Sequence, residues 1–476
     1  VKPIWGEITA REINHAVTGL WVNGDPETVL QGLSTDSRTV KPGELFWALK
    51  GDRYDGHDFV KQAADRGVAG VVVNRDVVRT QAFESMMAEG LPLLVMAVAD
   101  TLKALGDLAC WWRHRHSLRV VAVTGSSGKT TTKEMIGSIL EQSHGTLRNP
   151  GNFNNLIGLP LSLLTAGPDH RMAVLEMGMN HPGEIGRLTE IADPDVGVIT
   201  NVGHAHLEGL GDIRNVARAK AEMIEKISAG ATAVLNGDDA LLMETASRFR
   251  KDFVTFGLGR ENRVRATEIR SHGPGGVSFN LHDGDGLWPV RLRVHGRHNV
   301  MNALAAAAAV FSLGGSPAQV VDGLARFKGV KGRFTLIELH NGATLVDDTY
   351  NANPDSLRAA LNAVSELSGA RGRVILGIGE MLELGAETEE AHRDAGRKAA
   401  RMGAHRLLAI GPHASFVVAS AVEAGMDRNQ AEVVRDHSDM VARIMGDLKA
   451  GDIVLIKGSR RIALDQVVEG LVRLAA

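Results

Sequence analysis

The chain has 476 residues, too many for one ordinary hydrophobic core, so two to four domains of common size are expected. Hydrophobic residues make up 44% and charged residues 23%, which excludes a disordered or fibrous chain. A net charge of −3, from 53 basic and 56 acidic residues, argues against a nucleic-acid partner, beyond what a local basic patch could hold. No apolar run reaches the roughly 18 residues of a membrane-spanning helix, so no integral membrane segment is expected. Val1-Lys2-Pro3-Ile4-Trp5-Gly6 runs into Glu7 without the apolar core of a signal peptide. The single cysteine, Cys110, allows neither an internal disulfide nor a cysteine-based zinc site. A cytoplasmic, multidomain α/β protein is expected, monomeric by default.

In chain order, short strands are expected over 45–49, 69–73 and 93–98, with polar helical sequence such as 58–66 between them. A helix over 101–116, with Leu102, Leu105, Leu108 and Ala109 on one face, reads as the bridge out of the first domain. The middle segment opens with an apolar strand over 120–123, a glycine turn and a helix from about Thr130. Buried-looking strands over 172–175 and 196–200 follow, with helical sequence between, the pattern of a parallel sheet covered on both faces. Strict alternation in 277–281 and 290–294 suggests an antiparallel flap with one wet face. An alanine-rich helix over 299–311 reads as buried on most sides. From about 332 the cycle repeats, with strands over 344–346, 374–376, 407–410 and 453–456. Three α/β domains are expected, over 1–117, 118–331 and 332–476.

The strongest chemical signal is Val120-Val121-Ala122-Val123-Thr124-Gly125-Ser126-Ser127-Gly128-Lys129-Thr130-Thr131-Thr132. A strand enters a glycine turn that opens a helix, so backbone N–H groups converge on phosphate oxygens with the helix dipole behind them. Lys129 would neutralise β- and γ-phosphates and the Thr130 hydroxyl would join a magnesium shell. Val123 stands where the usual phosphate-loop pattern has its first glycine, and an ordinary strand–turn–helix is the rival reading. Glu176 and His206 each follow an apolar strand and could approach the loop from neighbouring strand ends, or be a surface acid and a loop histidine. Lys220, by spacing alone, reads as a solvated helix lysine. Asp347-Asp348-Thr349-Tyr350-Asn351-Ala352-Asn353-Pro354 places two carboxylates and a polar turn at a strand end, more than turn capping requires. Thr35-Asp36-Ser37-Arg38 and the stretch from Lys50 through Asp55, Gly56 and His57 to Asp58 read as polar loops around the strand at 45–49, each a turn when taken alone.

The assembly resembles the Mur ligases, the ATP-dependent amide-forming enzymes of bacterial peptidoglycan synthesis. Thr124 through Thr131, Leu175-Glu176-Met177-Gly178, Asn201 through Glu208, Ala219-Lys220, Gly296 through Ala303 and Gly332-Arg333-Phe334 carry the likeness over nearly the whole chain. The family's loop lacks that first glycine as well. The resemblance implies an N-terminal UDP-substrate-binding α/β domain, a central P-loop ATPase-like parallel-sheet domain and a C-terminal Rossmann-like α/β domain. It implies that Gly125, Ser126, Ser127, Gly128, Lys129, Thr130 and Thr131 hold the ATP phosphates. Thr130 and Glu176 would hold one Mg2+ and His206 would help hold a second. Lys220 matches the lysine that many of these ligases carbamylate, which reverses the solvated reading and makes it a further metal ligand. Asn302 and Asn155 would contact adenine, and Arg333 and Asp348 would meet the nucleotide from the C-terminal domain. Ser37, Arg38, Lys50, Asp55, Gly56 and His57 would lie near the UDP-sugar, and Asn351 and Asn353 would position the incoming dipeptide.

Gly151 through Pro160, Ala205 through Gly209 and Tyr350 through Pro354 are similar to the member of the family acting on UDP-N-acetylmuramoyl-tripeptide with D-alanyl-D-alanine. The Asp-Asn-Pro-Arg signature of the preceding ligase, which adds the third peptide residue, is missing and puts that enzyme second. A P-loop regulatory ATPase and the folylpolyglutamate or cyanophycin ligases are the remaining alternatives. The third residue of the tripeptide, diaminopimelate or lysine, stays open. The C-terminal domain is expected to stand open without ligands and to close over ATP, excluding water from an acyl phosphate.

Overall fold

A computed structural model describes residues 4–88, 93–284, 286–369 and 372–474. Three sheets follow one another along the chain. The first has six strands in the order Ile4–Thr9, Val29–Ser34, Glu44–Trp47, Gly70–Asn74, Leu94–Val98, Leu20–Asn23. Its inner pairs are parallel and both outer pairs antiparallel. The expected helix over 58–66 is a 3-10 turn, Gly56–Phe59, followed by a short helix, Val60–Ala64. Helix Thr101–Arg115 starts where the Asp100 carboxylate accepts the Leu102 and Lys103 N–H groups. It buries Leu105, Leu108, Ala109 and Trp112 and packs on helices Gly158–Leu163 and Glu184–Ala192, so it ties the first sheet to the second unit.

The second sheet has nine strands, and three of them position the chemistry: Arg119–Thr124 lies between His170–Glu176 and Val196–Ile199, all parallel. Val123 sits opposite Glu176 and Thr124 opposite Ile199, so the three strands end level at one carboxyl edge, where open α/β sheets bind ligands. The parallel order gives way to an antiparallel flap of Val264–Ser271, Val277–Asp283 and Gly286–Leu292. Val277, Phe279 and Leu281 face inward and alternate with partly exposed residues, as the pattern predicts. The last strand begins before the expected 290 and carries Pro289, tolerated because it is the sheet's edge. Helix Arg297–Ser312 has Ala303 through Val310 all buried, and its small side chains let it lie against the phosphate-loop helix Lys129–Leu140.

The third sheet runs Thr335–Glu338, Thr344–Asp348, Ile453–Lys457, Val374–Gly379, Arg406–Ile410, Ala431–Val433, and only its first strand is antiparallel. Among the described residues no helix is long and apolar enough to cross a membrane.

Candidate active site between the second and third units

The strand Arg119–Thr124 turns at Gly125, whose φ is +150°; a β-carbon there would stand 1.8 Å from Thr200 Oγ1. Gly128, at φ +80°, opens the helix, and a β-carbon there would stand 2.3 Å from Asn302 Oδ1. The first-turn N–H groups of that helix have no intrahelical acceptor and make an anion cradle. Asn201 holds the turn: its carbonyl accepts Ser126 N–H at 3.0 Å and its Oδ1 accepts Ser127 N–H at 3.0 Å. Lys129 Nζ donates to Gly125 O at 2.7 Å, and burial lowers its pKa while Glu176 opposes that shift.

Thr130 Oγ1 donates to Glu176 Oε2 at 2.8 Å, and both side chains are buried. Asn154 Nδ2 donates to Glu176 Oε1 at 2.8 Å. Asn149 exchanges two bonds with the Glu176 backbone, at 2.8 and 2.9 Å, and buried Lys133 donates to Asn149 O at 2.6 Å. The carboxylate is thus fixed by its own backbone and by two partners on its oxygens. His206 sits in left-handed backbone, φ +59°, with Nδ1 2.8 Å from Glu383 Oε2 of the third unit. Burial lowers its pKa and Glu383 opposes. Lys220 is 1% exposed and, among the described residues, has no hydrogen bond or ion pair. Burial drives its pKa well below the ordinary lysine range and the charge of Lys129 adds to the shift. The solvated helix lysine expected from spacing is therefore a core residue, on the same face of helix Ile213–Lys226 as Val216, Met223 and Ile224.

Two cavities meet at this edge. The smaller, about 180 Å³, is lined by Asn302, His298, Phe334, Asp348 and Lys457, among others. Asn302 Nδ2 donates to Asn299 Oδ1 at 3.1 Å, and burial pulls the His298 pKa down to about 4. Asp348 Oδ2 accepts from buried Lys457 Nζ at 2.6 Å, and its Oδ1 accepts Phe334 N–H at 3.2 Å. The larger cavity, about 410 Å³, is lined by Lys129, Glu176, Asn155, Asn351 and Glu383, among others. Arg333 lines both: its guanidinium donates to Thr130 Oγ1 at 3.2 Å and lies 4.0 Å over the Tyr350 ring.

The structure therefore separates Asn155 from Asn302. The Asn155 Oδ1 caps helix Gly158–Leu163 by accepting Gly158 N–H at 2.8 Å, and its residue faces the larger cavity, so the shared adenine contact is not supported. Asn353 is largely committed to a capping box with Ser356, with Nδ2 reaching Ser126 O at 3.4 Å. The first-unit residues line neither cavity. Ser37 Oγ is buried and donates to Gln62 Oε1 at 2.7 Å, and Arg38 is chelated by Asp36 through two 2.9 Å bonds. Lys50 Nζ is 4.0 Å from Asp55 Oδ2. Gly56 donates its N–H to Leu49 O at 2.7 Å. His57 has both ring nitrogens occupied, one 2.5 Å from Asp55 Oδ1 and the other accepting Asn74 N–H at 3.0 Å, so it is committed to holding its own loop.

The third unit lies against the phosphate loop in a closed arrangement, where the sequence predicts an open one. Arg333 on Thr130, Asn353 on Ser126, Glu383 on His206 and Asp355 Oδ2 accepting His204 N–H at 2.8 Å make the contact. Glu383 and Lys457 are residues that sequence reasoning missed, while Asn201 and His298 entered it inside the family stretches without a role of their own. A lysine closing the apolar run Ile453-Val454-Leu455-Ile456 is the available signal for Lys457.

The model of the Mur ligase middle domain matches residues 123–310, that of the Mur ligase glutamate ligase domain residues 332–460, and that of the Mur ligase family catalytic domain residues 29–113. The chain belongs to the Mur ligase family. Its relatives include the UDP-N-acetylmuramoyl-tripeptide–D-alanyl-D-alanine ligase of Escherichia coli (strain K12), 38% identical over 451 residues and 94% of either chain. The Bacillus subtilis (strain 168) ligase of the same name is 35% identical over 98% of either chain. Among solved structures, MurF from Acinetobacter baumannii matches with a TM-score of 0.86 at 34% identity, covering 99% of this chain and 100% of that one. MurF ligase from Thermotoga maritima in complex with ADP matches at 0.82 and 29% identity, covering 93% and 97%.

Proposed function

We propose that this chain is the ATP-dependent ligase that joins D-alanyl-D-alanine to UDP-N-acetylmuramoyl-tripeptide in peptidoglycan precursor synthesis, a cytoplasmic reaction. The observation that carries the reading is the 38% identity to a ligase of that name over 94% of both chains. A carboxylate is a poor acyl donor because oxide would have to leave. Transfer of the γ-phosphoryl group gives an acyl phosphate, the dipeptide amine attacks it, and the tetrahedral intermediate expels phosphate. On this reading the chain divides into units 1–117, 118–331 and 332–476, each with its own sheet.

Lys129 and the N–H groups of the first turn of its helix hold the phosphates, supported by a helix start that no side chain caps. The N–H groups of Ser126 and Ser127, expected to share in this, are taken by Asn201. Thr130 and Glu176 suit one Mg2+, since a hydroxyl and a carboxylate oxygen already meet at 2.8 Å and hard cations take oxygen donors. His206 and Lys220 suit a second. Magnesium, when bound, would offset the charge of a carboxylate approaching triphosphate. Lys220 is proposed to be carbamylated: a buried lysine without a partner among the described residues favours the neutral amine that adds to carbon dioxide, and the carbamate supplies oxygen donors in place of a cation. Asn302 and the smaller cavity take adenine, with Arg333 and Asp348 closing on the nucleotide. Asn351 lines the larger cavity, where the acceptor would enter. Arg38 and Lys50, whose side chains are 79% and 74% exposed, remain available to the UDP end of the substrate.

The test is phosphate release from ATP and magnesium with UDP-N-acetylmuramoyl-tripeptide, in both its diaminopimelate and lysine forms, with and without the dipeptide, while product mass is read in parallel. Dipeptide-dependent release, with a product heavier by the dipeptide minus water, is expected. Release indifferent to the dipeptide would instead favour a P-loop ATPase or the preceding ligase.

A further inference from the structure

D-Alanyl-D-alanine offers an enzyme two methyl groups, one amide and two charges. Its ammonium must reach the acyl phosphate, so its free carboxylate, about 6–7 Å away along the peptide, is the remaining handle for recognition. A carboxylate taken into an interdomain cavity without a cation is strongly disfavoured.

The larger cavity holds four side-chain cations of lysine or arginine type. Two belong to the phosphate end: Lys129 is bonded to Gly125 O, and Arg333 to Thr130 and the Tyr350 face. The other two, Arg460 and Arg461, stand on the turn Arg460–Ile462 just past the carboxyl end of strand Ile453–Lys457. Arg460 donates to Asp465 Oδ2 at 3.2 Å. Arg461 is exposed toward the cavity and, among the described residues, has neither a hydrogen bond nor an ion pair, although its charge helps to lower the pKa of Glu383 on the same cavity, whose carboxylate is already paired with His206.

The turn that presents them is rigid. Ser459 donates its N–H to Glu380 O at 2.9 Å and its hydroxyl to Ala352 O at 3.3 Å, and accepts Leu382 N–H at 3.0 Å. One serine thus joins the loops that follow three neighbouring strands of the third sheet, and the guanidinium groups project from a fixed base. Buried Glu380 is itself held, accepting His413 N–H at 3.1 Å with His413 Nδ1 at 2.5 Å.

We propose that Arg461, with Arg460 beside it in a lesser share, binds the free carboxylate of the acceptor dipeptide and so makes the enzyme select an acceptor with an unblocked C-terminus. The inference rests on the ligase reading above. A planar guanidinium matches a carboxylate through two parallel N–H bonds, which a lysine cannot reproduce.

The experiment compares D-alanyl-D-alanine with D-alanyl-D-alaninamide as acceptor for the unmodified enzyme, Arg461→Gln and Arg460→Gln. The unmodified enzyme is expected to show a KM for the amide about 10- to 100-fold above that for the acid. Arg461→Gln raises the KM for the acid by a similar factor and leaves the amide unchanged, so the two acceptors become equivalent. KM for ATP and for the UDP-tripeptide stay where they were. Arg460→Gln shows a smaller effect of the same kind. The assignment is overturned if Arg461→Gln keeps the original preference for the acid, if it weakens acid and amide equally, or if Arg460 alone carries the effect. An unmodified enzyme that uses neither acceptor overturns the ligase reading itself, which is a separate failure.

Discussion

Asp348→Asn tests the reasoning about the third unit most sharply. Asp348 and Lys457 are register partners on adjacent parallel strands, and Lys457 Nζ has two acceptors, Asp348 Oδ2 at 2.6 Å and Asn351 O at 3.0 Å. The Lys457 side chain is 2% exposed, so the substitution leaves a buried cation with neutral acceptors alone, and the new amide must turn its NH2 either toward Lys457 Nζ or toward Phe334 N–H, both of which now meet a carboxylate oxygen. Removing one partner of a buried pair costs about 3–5 kcal/mol. Amide protection over Thr344–Asp348 and Ile453–Lys457 should therefore fall by about 150- to 4,000-fold in native-state hydrogen exchange. The pH dependence has a definite sign. Burial lowers the Lys457 pKa from its ordinary 10.5 and Asp348 partly restores it, so the variant's folded-state pKa falls further. Between that value and the unfolded one, the unfolded chain binds more protons and stability rises with pH. The variant's window opens at lower pH, so its deficit is largest near neutrality and narrows toward pH 10. Adding Lys457→Met removes the stranded charge and should recover most of the protection. Unchanged protection in Asp348→Asn, or a deficit that widens with pH, would refute the argument.

Lys129→Ala should abolish phosphate release, and substantial turnover in that variant would remove Lys129 from the phosphate site. Lys220→Ala should be inactive and partly rescued by short-chain carboxylates that fill the space with oxygen donors; rescue by chloride at equal concentration would show the effect to be ionic strength. His206→Ala should raise the magnesium concentration needed for half-maximal rate, read by metal titration, and an unshifted curve would take His206 out of the metal set.

The strands were legible wherever burial on both faces left a short run rich in β-branched residues, as at Val120–Val123 and Val374–Leu376, because a buried helix such as Ala303 through Val310 needs a longer run and is built from alanine here. The phosphate loop was legible because a positive φ at Gly125 and Gly128 leaves glycine as the residue that fits. Lys220 was misread on its spacing, yet the signal was present: it lies four residues after Val216 and three before Met223, on the apolar stripe of its helix. A lysine on that stripe is either buried or breaks the face. His57 and Asn155 mark the opposite limit. Their residue types suit ligand binding, but the His57 ring is held between Asp55 Oδ1 and Asn74 N–H and the Asn155 Oδ1 caps a helix start, and such hydrogen bonds are invisible without coordinates. Glu383 left no trace because its meeting with His206 depends on how two units pack.

The contacts that close the site are long in sequence. Thr130 and Arg333 are 203 residues apart, and Ser126 and Asn353 are 227 apart. A ribosome adding about 5–20 residues per second therefore leaves about 10–45 s between the emergence of the loop and that of its closing partners. During that interval the nascent chain carries a nucleotide cradle with no opposing wall. A translation product halted before residue 332 lacks Arg333, the Asp348–Lys457 pair and both arginines of the acceptor turn. The capacity to spend ATP on a peptide bond arrives with the last third of the chain.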